Sequence, residues 1–320
     1  MKFENILVTG GAGYIGSSMV KLLLNNNCNV VVIDNLAKGR KEFVDNRAVF
    51  YQGDVLDKSF LQHVFEKHDF QAVIHFAAWK DAGESMVKPE KYSENIIGTI
   101  NVLEQMAKFG VSKIIFSSTA AVYGDPEEAI VNEQCRTQPI NYYGFSKLEC
   151  ERILEWYAKL HNISYVALRY FNVVGNVDGI DYIDPDAHNI FPLLMDVACG
   201  KRDCFKIFGN DYDTRDGTCI RDYIDLNDLI DAHFKSLSLE GEHTINIGTG
   251  DGFTVKECIE AVNKVTDVKI NTEIVNRRDG DPECLLASND LAYQLLSWKP
   301  VHSLEESINS MWNVYKKIYE

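Results

Sequence analysis

Three side chains in the first half of the chain have the types and spacing to move a proton. Tyr143 and Lys147 stand four apart in Tyr143-Gly-Phe-Ser-Lys147, so a helix would set the phenol and the ammonium on one face. A phenol titrating near pH 10 is a poor base at neutral pH. Lowering it by about three units takes roughly 4 kcal/mol of preferential stabilisation of the phenolate, and a close ammonium is one natural source. Thr119, in Phe116-Ser-Ser-Thr119, follows a β-type run, and its hydroxyl can relay a proton between a substrate hydroxyl and Tyr143. Alone, a Tyr-x-x-x-Lys pair is usually a solvated helix face. Ser117 and Ser118 alone read as strand-end residues closing local turns.

A second positive neighbour for the phenol would be an oxidised nicotinamide ring, and the N-terminus carries a site for one. Gly10-Gly-Ala-Gly13-Tyr-Ile-Gly16 follows an apolar run and opens a helical pattern. Gly10 permits the tight turn, Gly13 lets the backbone approach a pyrophosphate, and Gly16 lets the helix pack closely on a sheet. The helix N-terminus offers unpaired N–H groups and a partial positive charge to the phosphates. Asp34 ends the next strand about 20 residues on, where a carboxylate accepts from ribose hydroxyls and repels a 2′-phosphate. NAD is therefore favoured over NADP, with Lys38 and Arg40 close enough to soften the preference.

These groups need a scaffold, and the pattern supplies one. Residues 6–8, 30–33, 48–51, 72–76, 113–117 and 165–168 read as buried strands. Residues 14–24, 59–65, 94–109 and 143–161 read as helices between them. Such alternation predicts an α/β fold, a doubly wound parallel Rossmann sheet with helices on both faces. Past Phe171 the pattern loosens into loops at 176–186 and 209–217 with short helices between. The expected division is an NAD-binding domain over 1–171 and a smaller C-terminal substrate-binding domain over 172–320. Strands near 218–226 and 243–248 are expected to return to the main sheet.

The 320 residues are 46% hydrophobic and 25% charged, with a formal net charge of −15. That balance argues against nucleic acid or anionic membrane as partner, both of which need basic patches. No apolar run approaches the roughly 20 residues that span a bilayer. No signal-peptide pattern precedes the first strand. The eight cysteines are scattered singly, which predicts free thiols in the cytoplasm and no metal site.

Taken together, the residues resemble the UDP-glucose 4-epimerase family of the extended short-chain dehydrogenase/reductase superfamily. The likeness rests on Val8-Thr-Gly-Gly-Ala-Gly-Tyr-Ile-Gly16, Asp34-Asn-Leu36, Gly53-Asp54, His75-Phe-Ala-Ala78 and Gly83-Glu-Ser85. It continues through Tyr143-x-x-x-Lys147, Arg169-Tyr-Phe-Asn172, Ile207-Phe-Gly-Asn210, Asp216-Gly-Thr218, Arg221-Asp-Tyr-Ile224 and Arg277-Arg-Asp-Gly-Asp281. It implies NAD held by Gly10, Gly13, Tyr14, Ile15, Gly16, Asp34 and Asn35, with Asp54 and Val55 at the adenine. Phe76, Ala77, Lys80, Asn95, Ser117, Tyr143, Lys147 and Tyr170 would meet the pyrophosphate and nicotinamide half. For the nucleotide-sugar it implies Thr119, Tyr143, Asn172, Asn189, Phe208, Arg221, Tyr223, Arg278, Asp281 and Leu285. Arginine forks at 221 and 278 suit a diphosphate.

The implied reaction is reversible hydride transfer at sugar C4 through a 4-keto intermediate, in a homodimer joined through helices near 96–109 and 143–161. Two departures from the family pattern matter. Threonine stands at 119 where many members have serine, which keeps the hydroxyl. Leu285 stands where a tyrosine in some members excludes N-acetyl sugars, so UDP-N-acetylglucosamine and its galacto epimer are expected as further substrates. A one-residue shift would put Cys284 at that wall instead. A 4,6-dehydratase needs an extra carboxylate after Thr119, where Ala120 and Ala121 stand. Competing readings are a UDP-glucuronate epimerase or decarboxylase and, from another class, a non-catalytic NAD-binding sensor.

Overall fold

The computed structural model describes residues 3–184, 188–278 and 282–319. Its first part alternates strand and helix: β1 (Asn5–Thr9), α1 (Tyr14–Asn25), β2 (Asn29–Asp34), β3 (Val49–Gln52), α2 (Lys58–Lys67), β4 (Ala72–His75), α3 (Ala82–Ser85), α4 (Pro89–Phe109), β5 (Lys113–Ser117), β6 (Ile130–Val131), α5 (Tyr142–His161) and β7 (Ser164–Tyr170). There follow β8 (Asn172–Val174), α6 (Ile190–Ala198), β9 (Phe205–Phe208), β10 (Ile220–Asp225), α7 (Leu226–Ser236), β11 (Glu242–Ile247), β12 (Gly252–Thr254), α8 (Val255–Thr266), β13 (Thr272–Val275), β14 (Cys284–Ala287), α9 (Asp290–Leu296) and α10 (Leu304–Tyr319).

Seven strands form one sheet in the order β11-β7-β5-β4-β1-β2-β3, every pair parallel. Successive strand residues face opposite sides, and both sides are apolar. In β1, Ile6 and Val8 join the core under α1 and α7, while Leu7 joins the core under α2, α4 and α5. This two-sided burial is why the strands read as continuous apolar runs. The order in which successive strands are laid down reverses between β1 and β4, and ligands meet such a sheet at that crevice, beyond the strands' carboxyl ends.

The helices end where their residues dictate. α4 starts at Pro89, whose missing N–H costs nothing in a first turn, and stops at Gly110 with φ 73°. The Asn141 side chain caps α5 by accepting from Gly144 N at 2.8 Å, a contact worth about 1 kcal/mol.

Of the two late segments expected to return to the main sheet, 242–247 lies there as β11 beside β7. Residues 220–225 do not. β10 instead heads a second sheet with β12, β14 and β8, antiparallel to β12 and parallel to the other two. The edge position beside β7 is filled by β11, so β10 pairs outward. Helices α6, α8 and α10 pack around Phe191, Val262, Ile308 and Trp312 to form a third core. α8 and α10, of 12 and 16 residues, are longer than the short helices expected. Their apolar stripes are interrupted by charges on the outer face. Thr254 and Glu257 close a reciprocal capping box at the start of α8.

Candidate active site

Gly10, immediately after β1, adopts φ +70°, and a Cβ there would stand 2.7 Å from Ala77 N. Only glycine lets the turn pass so close to the chain leaving β4. α1 then opens on Gly13 with no side-chain cap and no acidic residue in its first turn. The N–H groups around Tyr14 and Ile15 therefore keep their positive end for an anion, while Gly16 is buried against the turn itself, where a Cβ would stand 2.1 Å from Gly10 O. Asp34 is 7% exposed; its carboxylate accepts from Ala12 N at 3.0 Å and Leu36 N at 2.8 Å. Burial pushes it above the usual carboxylate range, and these two N–H groups pull the other way.

Beside it, Asn35 Nδ2 donates to Asp54 Oδ2 at 2.8 Å, and Asp54 Oδ1 accepts from Leu56 N at 2.9 Å. Val55 fills the space over Gly98 of α4. An uncapped glycine turn with a fixed carboxylate at the neighbouring strand end fits a dinucleotide: phosphates at the turn, ribose hydroxyls at Asp34.

The residues expected to move a proton lie around the ends of β5 and β7. Tyr143 lies in the first turn of α5, where the helix's positive end favours a phenolate. A Cβ at Gly144 would stand 2.5 Å from Ala121 O, so this glycine allows the first turn of α5 to rest on the turn that follows β5. Across that contact the Thr119 hydroxyl lies close enough to the Tyr143 phenol to lower its proton affinity. It also accepts from Ala121 N at 3.2 Å. Burial pushes the phenol up to about 12, with the nearby Thr119 hydroxyl pulling down.

Lys147, 3% exposed, donates from Nζ to Ser117 O at 2.7 Å and lies 4.8 Å from the Phe116 ring centroid. Burial pulls its ammonium down to about 8, while Cys150 and Glu151 pull upward. Ser117 Oγ is hydrogen-bonded to Tyr170 OH, and Ser118 Oγ donates to Glu151. Neither serine closes a local turn through its hydroxyl.

Other expected site residues take different posts. Asn95 is buried and holds the chain after β4, accepting from Trp79 N at 2.8 Å and donating to Trp79 O at 3.0 Å and Ser146 Oγ at 3.2 Å. The Phe76 ring packs 4.9 Å from His233. Lys80 is paired with Asp184 at 3.5 Å. Tyr182, which sequence reasoning passed over inside a loop rich in Asp and Gly, packs between Tyr14 at 5.5 Å and Phe43 at 4.9 Å. Tyr14 OH donates to Gly175 O, fastening the same loop to α1.

On the second sheet, Asn172 donates to Asp222 O at 3.0 Å, and Asn189 stands exposed at the start of α6. Arg278 lies 3.8 Å over the Phe208 ring. Arg221 Nη1 donates to Ile220 O at 2.7 Å. Tyr223 is 5% exposed and packs edge-on against Phe191; that is a core post rather than one free to reach a diphosphate. Leu285 pairs in register with Arg221 and packs in one cluster with Ala120, Leu148 and Phe171, beside the Thr119 turn. Cys284 lies toward Arg215 and Arg221. Asp281 lies outside the described residues.

Comparison with known proteins gives these features a context. Residues 7–311 match the family model described as GDP-mannose 4,6 dehydratase. A UDP-glucose 4-epimerase of Halalkalibacterium halodurans is 44% identical over 98% of this chain and 96% of its own. The UDP-glucose 4-epimerase of Brucella ovis, solved in complex with NAD, superposes with a TM-score of 0.94 at 36% identity, covering 98% of both chains. The UDP-Glc/GlcNAc 4-epimerase of Campylobacter jejuni gives 0.86 at 39% identity, over 98% of this chain and 99% of that one.

Proposed function

The chain belongs to the UDP-glucose 4-epimerase family, and from that membership we propose that it interconverts UDP-glucose and UDP-galactose with NAD as its resident cofactor. One observation carries the assignment of the chemistry to residues. The first turn of α5 rests on the turn after β5 through Gly144, which sets Tyr143 near Thr119, while Lys147 of the same helix donates to Ser117 O at the end of β5. NAD, when bound, supplies the acceptor and donor for the C4 hydride and a positive charge at its ring. Gly10, Gly13, Tyr14, Ile15 and Gly16 hold its phosphates, and Asp34 its ribose.

Tyr143 removes the proton of the C4 hydroxyl, directly or through Thr119. After the 4-keto sugar has turned over, Tyr143 returns the proton to the C4 oxygen. With the phenol at about 12 from burial, running it as a base near neutrality takes on the order of 6–7 kcal/mol of phenolate stabilisation. The Thr119 hydroxyl and the positive end of α5 act in that direction, and an oxidised nicotinamide ring would add to them when bound. Asn172, Asn189, Phe208, Arg221 and Arg278 form the nucleotide side of the substrate site, which holds the diphosphate firmly so that the sugar alone can turn.

The matching family model bears the name of a dehydratase, but elimination of water needs a further carboxylate. Ala120 and Ala121 occupy the positions after Thr119.

Leu285 supports a wider substrate range. It packs beside Ala120 and Phe171 at the wall of the Thr119 turn, and its side chain is shorter than a tyrosine and cannot donate a hydrogen bond. On this reading UDP-N-acetylglucosamine and its galacto epimer are also substrates. Exposed Ile97 on α4, with Trp156 and Leu160 on α5, supports a homodimer through these helices. The eight free cysteines suit a cytoplasmic setting.

The test is to incubate purified protein with UDP-glucose and UDP-N-acetylglucosamine separately, adding no NAD, and to resolve the sugars. Both should give their galacto epimers with no reduced cofactor released. Turnover of the unacetylated sugar alone would remove the wider range; inertness toward both would overturn the function.

A further inference from the structure

A buried carboxylate that the proposed chemistry does not use lies one helical turn beyond Lys147. Glu151 is 3% exposed, yet three donors converge on it. Arg169 binds it through a fork, Nε to Oε1 at 3.0 Å and Nη2 to Oε2 at 2.6 Å. Ser118 Oγ donates to it as well. The remaining arm of Arg169 donates from Nη1 to Tyr123 OH at 3.1 Å, and Tyr123 in turn donates to Asn246 Oδ1 of β11 at 2.7 Å.

The placement of these partners is what matters. Ser118 stands between Ser117, whose carbonyl takes the Lys147 ammonium, and Thr119, whose hydroxyl lies close to the phenol. Arg169 immediately precedes Tyr170, whose hydroxyl bonds Ser117. Because side chains alternate along extended chain, the reacting groups and the residues that grip Glu151 occupy neighbouring positions pointing opposite ways. Three segments, the middle of α5 and the ends of β5 and β7, are thus tied at one buried point.

Resting on the proposed function, we infer that Glu151 is a positioning residue. Clamped by Arg169 and Ser118, it fixes the helix bearing Tyr143 and Lys147 against the strand ends bearing Thr119 and Tyr170, and it keeps a buried negative charge in the neighbourhood of the Lys147 ammonium. Glu151 is ion-paired with Arg169, and its charge acts on that ammonium from a greater distance. On α5 the groups around the ammonium are the Cys150 thiol and Glu151; from β5 they are the Ser117 carbonyl and the Phe116 ring. From β4 it is His75, which burial holds neutral with a value of about 3. Glu151 is therefore the carboxylate that helps Lys147 keep its proton. Buried ion pairs contribute little to stability relative to apolar residues of the same shape, so geometry and charge are what this pair offers the site.

The experiment compares full-length wild type with Glu151→Gln and Arg169→Lys, each carrying its bound NAD, by folding, kcat, KM for UDP-galactose and the pH profile of kcat. Glu151→Gln keeps the shape and removes the charge. It should retain NAD and a KM within about twofold, lose kcat by on the order of tenfold to a hundredfold, and move the alkaline limb of its profile to lower pH. Arg169→Lys keeps both charges and removes the fork, so kcat should fall while the alkaline limb stays in place. This second variant decides the matter if Glu151→Gln fails to fold. A folded variant of either kind with wild-type kcat and profile, alongside an active wild type, would overturn the inference alone. A wild type inert toward UDP-galactose would overturn the proposed function and this inference with it.

Discussion

Replacing Lys147 with Met should separate what the chemistry requires from what the fold prefers. Burial pulls the ammonium to about 8 from a reference of 10.5. Between those values the unfolded chain holds a proton that the folded chain has released, so stability must rise with pH across that window. At about pH 7 both states are largely protonated, and burying the charge costs about 3 kcal/mol; by about pH 9.5 the cost has fallen to about 1.4 kcal/mol. Wild type should therefore gain about 2 kcal/mol between these two conditions from this one group. Met fills a similar volume and binds no proton, so the variant should lack that increment. Tyr143, held up to about 12, titrates above the window in both proteins and cancels. The assay is urea unfolding followed by circular dichroism, on both proteins freed of dinucleotide, at the two pH values. The same variant should lose turnover. If both proteins respond equally to pH, Lys147 is not held against its charge, and the case that burial sets its proton affinity fails.

Tyr143→Phe should fold, retain NAD and lose kcat by about 10²–10⁴, the usual worth of a positioned acid–base group; a variant within tenfold of wild type would remove Tyr143 from the chemistry. Gly144→Ala puts a Cβ 2.5 Å from Ala121 O. It should lower stability by about 1–3 kcal/mol and kcat with it, and an unaffected variant would mean that the two turns do not approach as described. Trp156→Glu combined with Leu160→Glu sets charges on the exposed apolar stripe of α5; sedimentation should show a dimer becoming a monomer, while an unchanged particle size would place the interface elsewhere.

What could be read from the sequence was whatever depends on near neighbours. The turn at Gly10 needs one φ value, and Tyr143 and Lys147 need one helical turn, so spacing alone announced them. The sheet was legible because both of its faces are covered and its strands are apolar throughout. Contacts between distant segments were not legible. Nothing near Lys80 announces Asp184, nothing near Tyr14 announces Tyr182, and β10 reads like a main-sheet strand until β11 is seen to occupy the edge it would need.

The Glu151 clamp lies between these cases. Its partners are 18 and 33 residues away, beyond any periodicity, yet a signal was present. Tyr165–Leu168 is an apolar run, and Arg169 extends it toward a strand end beside the proposed catalytic residues. A charge at a buried strand position must find a buried partner, since an unpaired one would cost several kcal/mol. The helix packed on that face offers Glu151 one turn beyond the lysine. In a doubly wound sheet, then, the residue next to each reacting group faces the opposite layer. Where that neighbour is polar, as Ser118 and Arg169 are, the support of the site is written one position away from the site itself.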